Sequence, residues 1–298
     1  MPREVHELLV KQALNRVSGM PFSWSLNPYR GCQHACAYCY ARTTHHFLDL
    51  GAGSDFSQVL FAKTNLPDVL AQALRRHSWA GERVAIGTAT DPYQPLEGRY
   101  RLTRQCLEVL AKAHNPVQII TKGTLIQRDL DLLSDLAKEN LIQVWFSVPT
   151  VDPVVWRRSE PGTPSPRHRF ETLSRLVRAG VPAGVLMAPL LPGISDSVNS
   201  MTATARAARD AGALALGGQV VRLAPLVKPV YMEFVRTFYP DLAPSYEGWY
   251  RDGANPPPSV RRRVEARMAK VRAETGLARS LPAQRDAPRE DRQLAWKF

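Results

Sequence analysis

The chain has 298 residues and a mass of 33.2 kDa, with 44% of its residues hydrophobic and 22% charged. That composition excludes a chain disordered throughout and one that crosses a membrane as helices, because no apolar run approaches the ~18 residues a span needs. Lys and Arg outnumber Asp and Glu by 39 to 27, a net charge of +12, which points to a nucleic-acid or phosphate-bearing partner.

At the N-terminus Val5, Leu8, Leu9 and Val17 are interleaved with Glu4, Glu7, Lys11 and Arg16. The pattern predicts an amphipathic helix over 1–17 rather than the apolar core of an export signal, and so a cytoplasmic protein with no membrane partner. Six β-rich runs follow, at 22–26, 84–88, 117–121, 144–148, 185–189 and 220–223. Helix candidates lie between them at 67–76, 103–114, 129–139, 167–179 and 196–211, with Gly180 and Gly212 as helix stops. Strand and helix in regular alternation predict an α/β fold with a parallel sheet and right-handed crossovers. Six units suit a partial (βα)6 TIM-type barrel. The expected organisation is a helical extension over 1–21, a catalytic core over 22–250, and a basic C-terminal helix with a mobile tail over 251–298.

Residues 251–298 carry twelve Arg or Lys against six Asp or Glu, half of the net charge. Val260, Val264, Met268 and Val271 recur as one apolar helical stripe, and Arg261, Arg262, Arg263, Arg267 and Lys270 occupy the other faces. Two readings fit: a docked helix with a solvated basic face, or a polyanion-binding surface. From Leu281 onward the periodicity stops, which predicts a tail with Trp296 and Phe298 as candidate anchors.

Three of the four cysteines, Cys32, Cys36 and Cys39, fall within eight residues in the segment GCQHACAYCYAR. Such a cluster is metal-binding or catalytic chemistry and not a disulfide framework. Three thiolates on a compact loop can hold three irons of a 4Fe-4S cluster, leaving one iron open to a substrate or cosubstrate. The alternative is a Cys3His zinc site with His34, His45 or His46 as fourth ligand, although no second cysteine pair is present. Cys106, inside a helical pattern, reads as a small buried hydrophobe. The unusual polar residues gather where strands end, from Asn27 to Gly31, Thr88 to Tyr93, Thr121 to Gly123, and at Ser147 and Pro189. Barrels of this type place their chemistry at that rim.

The spacing C-x3-C-x2-C, with Tyr38 before the last cysteine, resembles the radical S-adenosylmethionine (SAM) superfamily. The stretches NPYRGCQHACAYCYAR, GTATDPYQPLE, ITKGTLIQRDLDLL, SVPTVD, SEPGTPSPRHRF and AGVPAGVLMAPLLPGISD resemble its spore photoproduct lyase-like, or DNA repair photolyase-like, branch. The resemblance runs over roughly residues 20 to 225. It implies a 4Fe-4S cluster on Cys32, Cys36 and Cys39, S-adenosylmethionine on the open iron, and a 5'-deoxyadenosyl radical that abstracts hydrogen from substrate. It also implies a reducing partner such as flavodoxin or ferredoxin. By the same resemblance Tyr38 lies against the adenine, Thr90 and Asp91 meet the methionine amine, Lys122 meets its carboxylate, Ser147 meets the ribose, and Met187 flanks the adenine.

Glu160 and Arg169 belong to the same pattern and are expected to pair with each other, while Lys63, Asn65 and Arg104 stand out without an assigned role. One departure separates the chain from the lyase that names the branch. That enzyme carries a hydrogen-donating cysteine just before the aspartate of the second strand end, where this chain reads Gly87-Thr88-Ala89-Thr90-Asp91. The resemblance therefore carries the fold, cluster and cofactor to this chain but not the DNA lesion. The substrate is then nucleic acid, or a peptide or small metabolite. The alternative function is an iron-sulfur electron carrier or cluster-binding regulator, which needs no nucleotide pocket.

Overall fold

Apolar runs with no polar face become strands covered on both sides, and the striped segments between them become the covering helices. A computed structural model describes residues 3–284. Its strands are β1 (Glu4–Glu7), β2 (Leu14–Arg16), β3 (Trp24–Leu26), β4 (Tyr29–Arg30), β5 (Val59–Ala62), β6 (Val84–Ile86), β7 (Val117–Thr121), β8 (Ile142–Ser147), β9 (Ala183–Leu190) and β10 (Leu216–Val220). Among the described residues a small sheet has the order β1-β5-β4, and a larger one runs β10-β9-β8-β7-β6-β3-β2. Every neighbouring pair from β3 to β10 is parallel, and only β2 joins antiparallel. Six parallel strands in sequence order form the expected partial (βα)6 barrel.

The helices Leu66–Arg75, Leu102–Lys112, Leu130–Lys138, Pro166–Arg178 and Val198–Asp210 fall within two residues of their expected spans. Gly180 and Gly212 follow the last two in the left-handed region that glycine tolerates, at φ +83° and +88°. Leu26, Val84, Ile119, Val144, Val185 and Leu216, all buried, belong to the core between sheet and helices.

Three expectations are corrected. The segment 1–17 is not a helix: β1 pairs with β5, β2 pairs with β3, and Leu9 is 75% exposed. Two open sheet edges offer backbone hydrogen bonds, while a lone helix of this length is marginal in water. Asn65 pins the connection, its Oδ1 accepting from Val10 N at 2.8 Å and its Nδ2 donating to Val10 O at 2.9 Å.

The last strand lies at 216–220 rather than 220–223. Gly217 and Gly218 argue against a strand by propensity, but a Cβ there would sit 2.7 Å from Leu186 Cδ2 and 2.8 Å from Met268 Cε. Leu186 and Met268 pack into the space those side chains would take.

The third correction concerns the tail. The helix Pro258–Thr275 buries Val260, Val264, Met268 and Val271 as its stripe predicts. Residues 277–284 then strap the strand starts. Leu216 N donates to Ala278 O at 2.8 Å, Gln143 Nε2 to Pro282 O at 2.5 Å, and Gln284 Nε2 to the carbonyls of Val117 and Leu141 at 2.8 and 2.7 Å. Residues 281–284 are thus bound, and the rest of the expected tail, with Trp296 and Phe298, lies outside the described residues. Two helices with no sequence counterpart, Lys228–Phe238 and Ala243–Trp249, complete the structure at the opposite end and pack Tyr231 and Tyr246 in one apolar cluster with Cys36 and Tyr38. Among the described residues no helix is long and apolar enough to cross a membrane.

Candidate functional site

The cysteine loop follows β4 and is shaped from several directions. Gly31 turns at φ +77°, where a Cβ would lie 2.8 Å from Leu60 Cδ2 and 3.0 Å from the carbonyl oxygens of Phe56 and Val59. Cys32 N donates to Phe56 O and Ala37 N to Ser159 O, each at 2.9 Å. Gly162 lies so close beneath the loop that a Cβ would fall 2.3 Å from Gln33 O. Cys32 and Cys36 are buried and Cys39 half-buried, all as free thiols. Burial pushes all three up, Cys36 to about 12, so they stay protonated until a cation arrives.

Three free thiols within eight residues are a donor set that fits a multi-iron cluster, which takes each thiolate on a different iron. Two of the three candidate histidines are engaged elsewhere. His45 Nε2 lies 2.9 Å from Val59 O with its ring against Phe56, and buried His34 faces Asp91.

Thr90 and Asp91, at the end of the β6 segment, come beside the loop, and both side chains are committed there. Thr90 Oγ1 donates to Gly31 O at 2.6 Å and accepts from Gln94 Nε2 at 2.9 Å. Asp91 Oδ1 accepts from Tyr93 N at 2.9 Å and Thr121 Oγ1 at 2.7 Å, and Oδ2 accepts from Lys122 N at 2.6 Å. His34 Nδ1 is 3.3 Å from Oδ2, within ion-pair reach but off the line of a hydrogen bond.

Burial alone would raise Asp91, yet His34, the Lys122 amide and the Thr121 hydroxyl together hold it at about 2. Its value in the unfolded chain is about 3.9. Asp91 therefore stabilises the fold fully above pH ~4, and the contribution fades as pH falls toward 2. Asp91→Asn should lower stability at pH 6 by about 2 kcal/mol, and the gap to the parent protein should close between pH ~4 and ~2. Urea midpoints across that range check this, and a gap that stays constant with pH would contradict it.

A second group of charges faces the loop from β7, β8 and the segment after the helix Pro153–Ser159. Lys122 Nζ donates to Ser147 Oγ at 2.5 Å, lies 3.6 Å from Glu160 Oε1, and sits 5.7 Å from the centre of the Tyr38 ring. Ser147 Oγ donates onward to Ala188 O at 2.9 Å. Glu160 accepts from the Tyr38 hydroxyl, and its Oε2 pairs with Arg169 Nη2 at 2.5 Å. Arg169 is fully buried and also donates to Ser147 O at 2.8 Å and Pro164 O at 2.9 Å. Burial alone would raise Glu160, but Arg169 and Lys122 more than offset it and hold the carboxyl below its usual range. The expected Glu160–Arg169 pair is present, and it ties four segments together around Tyr38. Met187 is fully buried in the main core, so its side chain fills the barrel.

Other residues find structural explanations. Arg104 joins helices through Asp131 at 2.8 Å, Glu108 at 3.0 Å and Asp129 at 3.2 Å. Half-buried Lys63 has its ammonium lowered to about 8 by burial and then by Arg30. Cys106 is fully buried in the main core. Sequence reasoning missed three braces of the loop. Asn27 Oδ1 accepts from Ala89 N at 2.7 Å, Gln94 Oε1 accepts from Gln33 N at 2.9 Å, and Arg42 lies buried behind the cysteines. The signal was a polar residue inside each of the matching stretches.

Comparison with known proteins adds four findings. A family model described as the Radical SAM superfamily matches residues 26–202. An uncharacterized protein of Mycobacterium tuberculosis is 39% identical over 276 residues, 92% of this chain and 81% of its own length. One of Methanocaldococcus jannaschii is 28% identical over 193 residues, 65% of this chain and 70% of its own. Among solved structures, a mutant spore photoproduct lyase with bound AdoMet and dinucleoside spore photoproduct superposes with a TM-score of 0.68 at 18% identity. It covers 91% of this chain and 79% of its own, a likeness of fold.

Proposed function

The chain belongs to the radical SAM superfamily, whose enzymes use a 4Fe-4S cluster and S-adenosylmethionine, and from that premise we propose that Cys32, Cys36 and Cys39 hold the cluster and Lys122 receives the carboxylate of S-adenosylmethionine. When bound, the pair supplies one-electron cleavage of the sulfonium and with it a 5'-deoxyadenosyl radical that takes hydrogen from a substrate carbon.

The observation that carries the reading is the Lys122 ammonium, only 14% exposed, held beside the cysteine loop between Ser147, Glu160 and the Tyr38 ring. An ammonium has three donors and Ser147 takes one, so the others can meet a carboxylate. Ser147 holds the lysine in place. Glu160 tethers the Tyr38 hydroxyl, which orients its ring for the adenine. Thr90 and Asp91 brace the loop through Gly31, Tyr93, Thr121 and Lys122, and Asp91, with three acceptor sites used, keeps capacity for the methionine amine. The apolar cluster of Tyr231, Tyr246 and Leu223 behind Cys36 and Tyr38 keeps water from the rear of the loop. The electron is assigned to a reducing partner such as flavodoxin or ferredoxin. Anaerobic formation of 5'-deoxyadenosine tests the reading, since an electron carrier or a regulator has no need to make it.

The charge distribution favours nucleic acid as substrate over a neutral metabolite. Arg267 and Arg263 of the C-terminal helix turn to Asp196, at 2.8 and 3.9 Å, but Arg261 and Arg262 are exposed and form no ion pair among the described residues. They stand near the start of that helix, close to where Leu223 N donates to Ala254 O beyond β10. If they bind phosphates, log affinity for duplex DNA should fall by about 0.9 per contact per decade of salt. Replacing Arg261 and Arg262 with Gln should then reduce the salt slope by up to about two units. A gentle slope that the double substitution leaves unchanged would move the search to peptides and small metabolites.

A further inference from the structure

Arg42 is a buried charge that the proposed mechanism leaves unused. It lies three residues beyond Cys39, is 4% exposed, and pairs with no carboxylate among the described residues. Its hydrogen bonds all run to backbone carbonyls. Nε and Nη2 lie 3.1 and 2.9 Å from Cys36 O, Nη2 lies 3.1 Å from Ala35 O, and Nη1 lies 2.9 and 2.6 Å from the oxygens of Ala52 and Gly53. The guanidinium also stands over the Phe56 ring, 5.3 Å from its centre.

Desolvating a full charge costs several kcal/mol, and carbonyl dipoles return only part of that. The planar fork serves four carbonyls where a neutral amide has only two N–H donors, so bracing accounts for the shape of the side chain. Its charge is still desolvated with no carboxylate beside it, and a negative assembly on the cysteine loop would offset that cost. Three thiolates around an iron-sulfide core of smaller positive charge make a net negative assembly, and accepting an electron makes it more negative by one. A fixed cation against the backbone of Cys36 favours the reduced form over the oxidised one, since net charge and local electrostatics are among the levers that set cluster potentials.

We infer that Arg42 is a positioning residue with an electrostatic role: it braces the cysteine loop and raises the reduction potential of the cluster held there. The inference rests on the reading that Cys32, Cys36 and Cys39 hold a cluster.

The test is an EPR-monitored redox titration of the reconstituted protein, with iron and sulfide measured on every sample. At the potential where the parent cluster is half reduced, Arg42→Gln should lower the ratio of reduced to oxidised cluster about tenfold, or about 59 mV for a one-electron couple. Arg42→Lys, which keeps the charge and loses the planar fork, should stay within about twofold of the parent. Ala52→Asp sets a carboxylate beside the intact guanidinium and should lower the ratio about threefold. An Arg42→Gln cluster with the parent ratio overturns the inference. Should Arg42→Gln fail to retain the cluster, Ala52→Asp decides: a lowered ratio supports the tuning role and an unchanged one overturns it. A parent protein that assembles no four-iron cluster defeats the underlying reading instead, a separate outcome visible in the iron analysis.

Discussion

Arg169→Met is expected to destabilise the folded protein by about 3–5 kcal/mol, the usual result of removing one partner from a buried ion pair. Arg169 is fully buried and Glu160 2% exposed, with 2.5 Å between their charged atoms. After the substitution Glu160 keeps only the Tyr38 hydroxyl, a long contact to Thr163 and an ammonium 3.6 Å away, while the carbonyls of Ser147 and Pro164 lose their donor. The carboxylate would answer by taking up a proton, which limits the loss but does not restore the links to Ser147 and Pro164. For a protein whose whole stability is on the order of 5–15 kcal/mol this is a large fraction. The double variant Glu160→Gln with Arg169→Met should recover part of it, since no unpaired charge stays buried. Urea unfolding of the metal-free chain at pH 7 measures both. A loss below about 1 kcal/mol in the single variant would show that the pair does not hold the segment over Tyr38.

The second large effect is on cofactor affinity. Lys122→Ala should weaken S-adenosylmethionine binding by about 1–3 kcal/mol, roughly five- to hundredfold, because a charge-assisted hydrogen bond to the carboxylate is lost. The upper part of that range is expected, since the variant also leaves Glu160 facing a second carboxylate with no ammonium between them. Lys122 Nζ donates to Ser147 and meets the cysteine loop at the Tyr38 ring, away from the thiols' own hydrogen bonds, so iron content should not change. Titrating the nucleotide into the reduced protein and following the EPR spectrum gives the affinity directly. Equal affinities in parent and variant would confine Lys122 to orienting Ser147 and Glu160.

The core strands were legible because they satisfy a simple rule. Val117 to Thr121 and Val144 to Ser147 are apolar runs between clear helical stripes, and burial on both faces leaves few alternatives. Where the structure departs from expectation, a distant partner decides. Gly217 and Gly218 form a strand because Leu186 and Met268 fill the space that side chains would need, and nothing local signals that. Glu4 to Glu7 is a strand because β5 offers an edge more than fifty residues away.

The same division holds at the mouth. The cysteine spacing is a local signature and was readable. By contrast, Thr90 and Asp91 stand out only by position, and the three-dimensional arrangement alone reveals their hydrogen bonds to Gly31, Tyr93, Thr121 and Lys122. Arg42 sat inside a matching stretch, yet its burial behind Cys36 depends on Phe56 and on the carbonyls of Ala52 and Gly53.

Anaerobic reconstitution followed by mass-spectrometric measurement of 5'-deoxyadenosine, in the parent protein and in Cys36→Ala, tests the central claim most directly. The parent should hold close to four irons and four sulfides, its reduced EPR spectrum should change when S-adenosylmethionine is added, and 5'-deoxyadenosine should form, while Cys36→Ala should lose the cluster and the product together. Zinc in tetrahedral coordination at full occupancy, with no response to the nucleotide and the same absence of 5'-deoxyadenosine in both proteins, would contradict it.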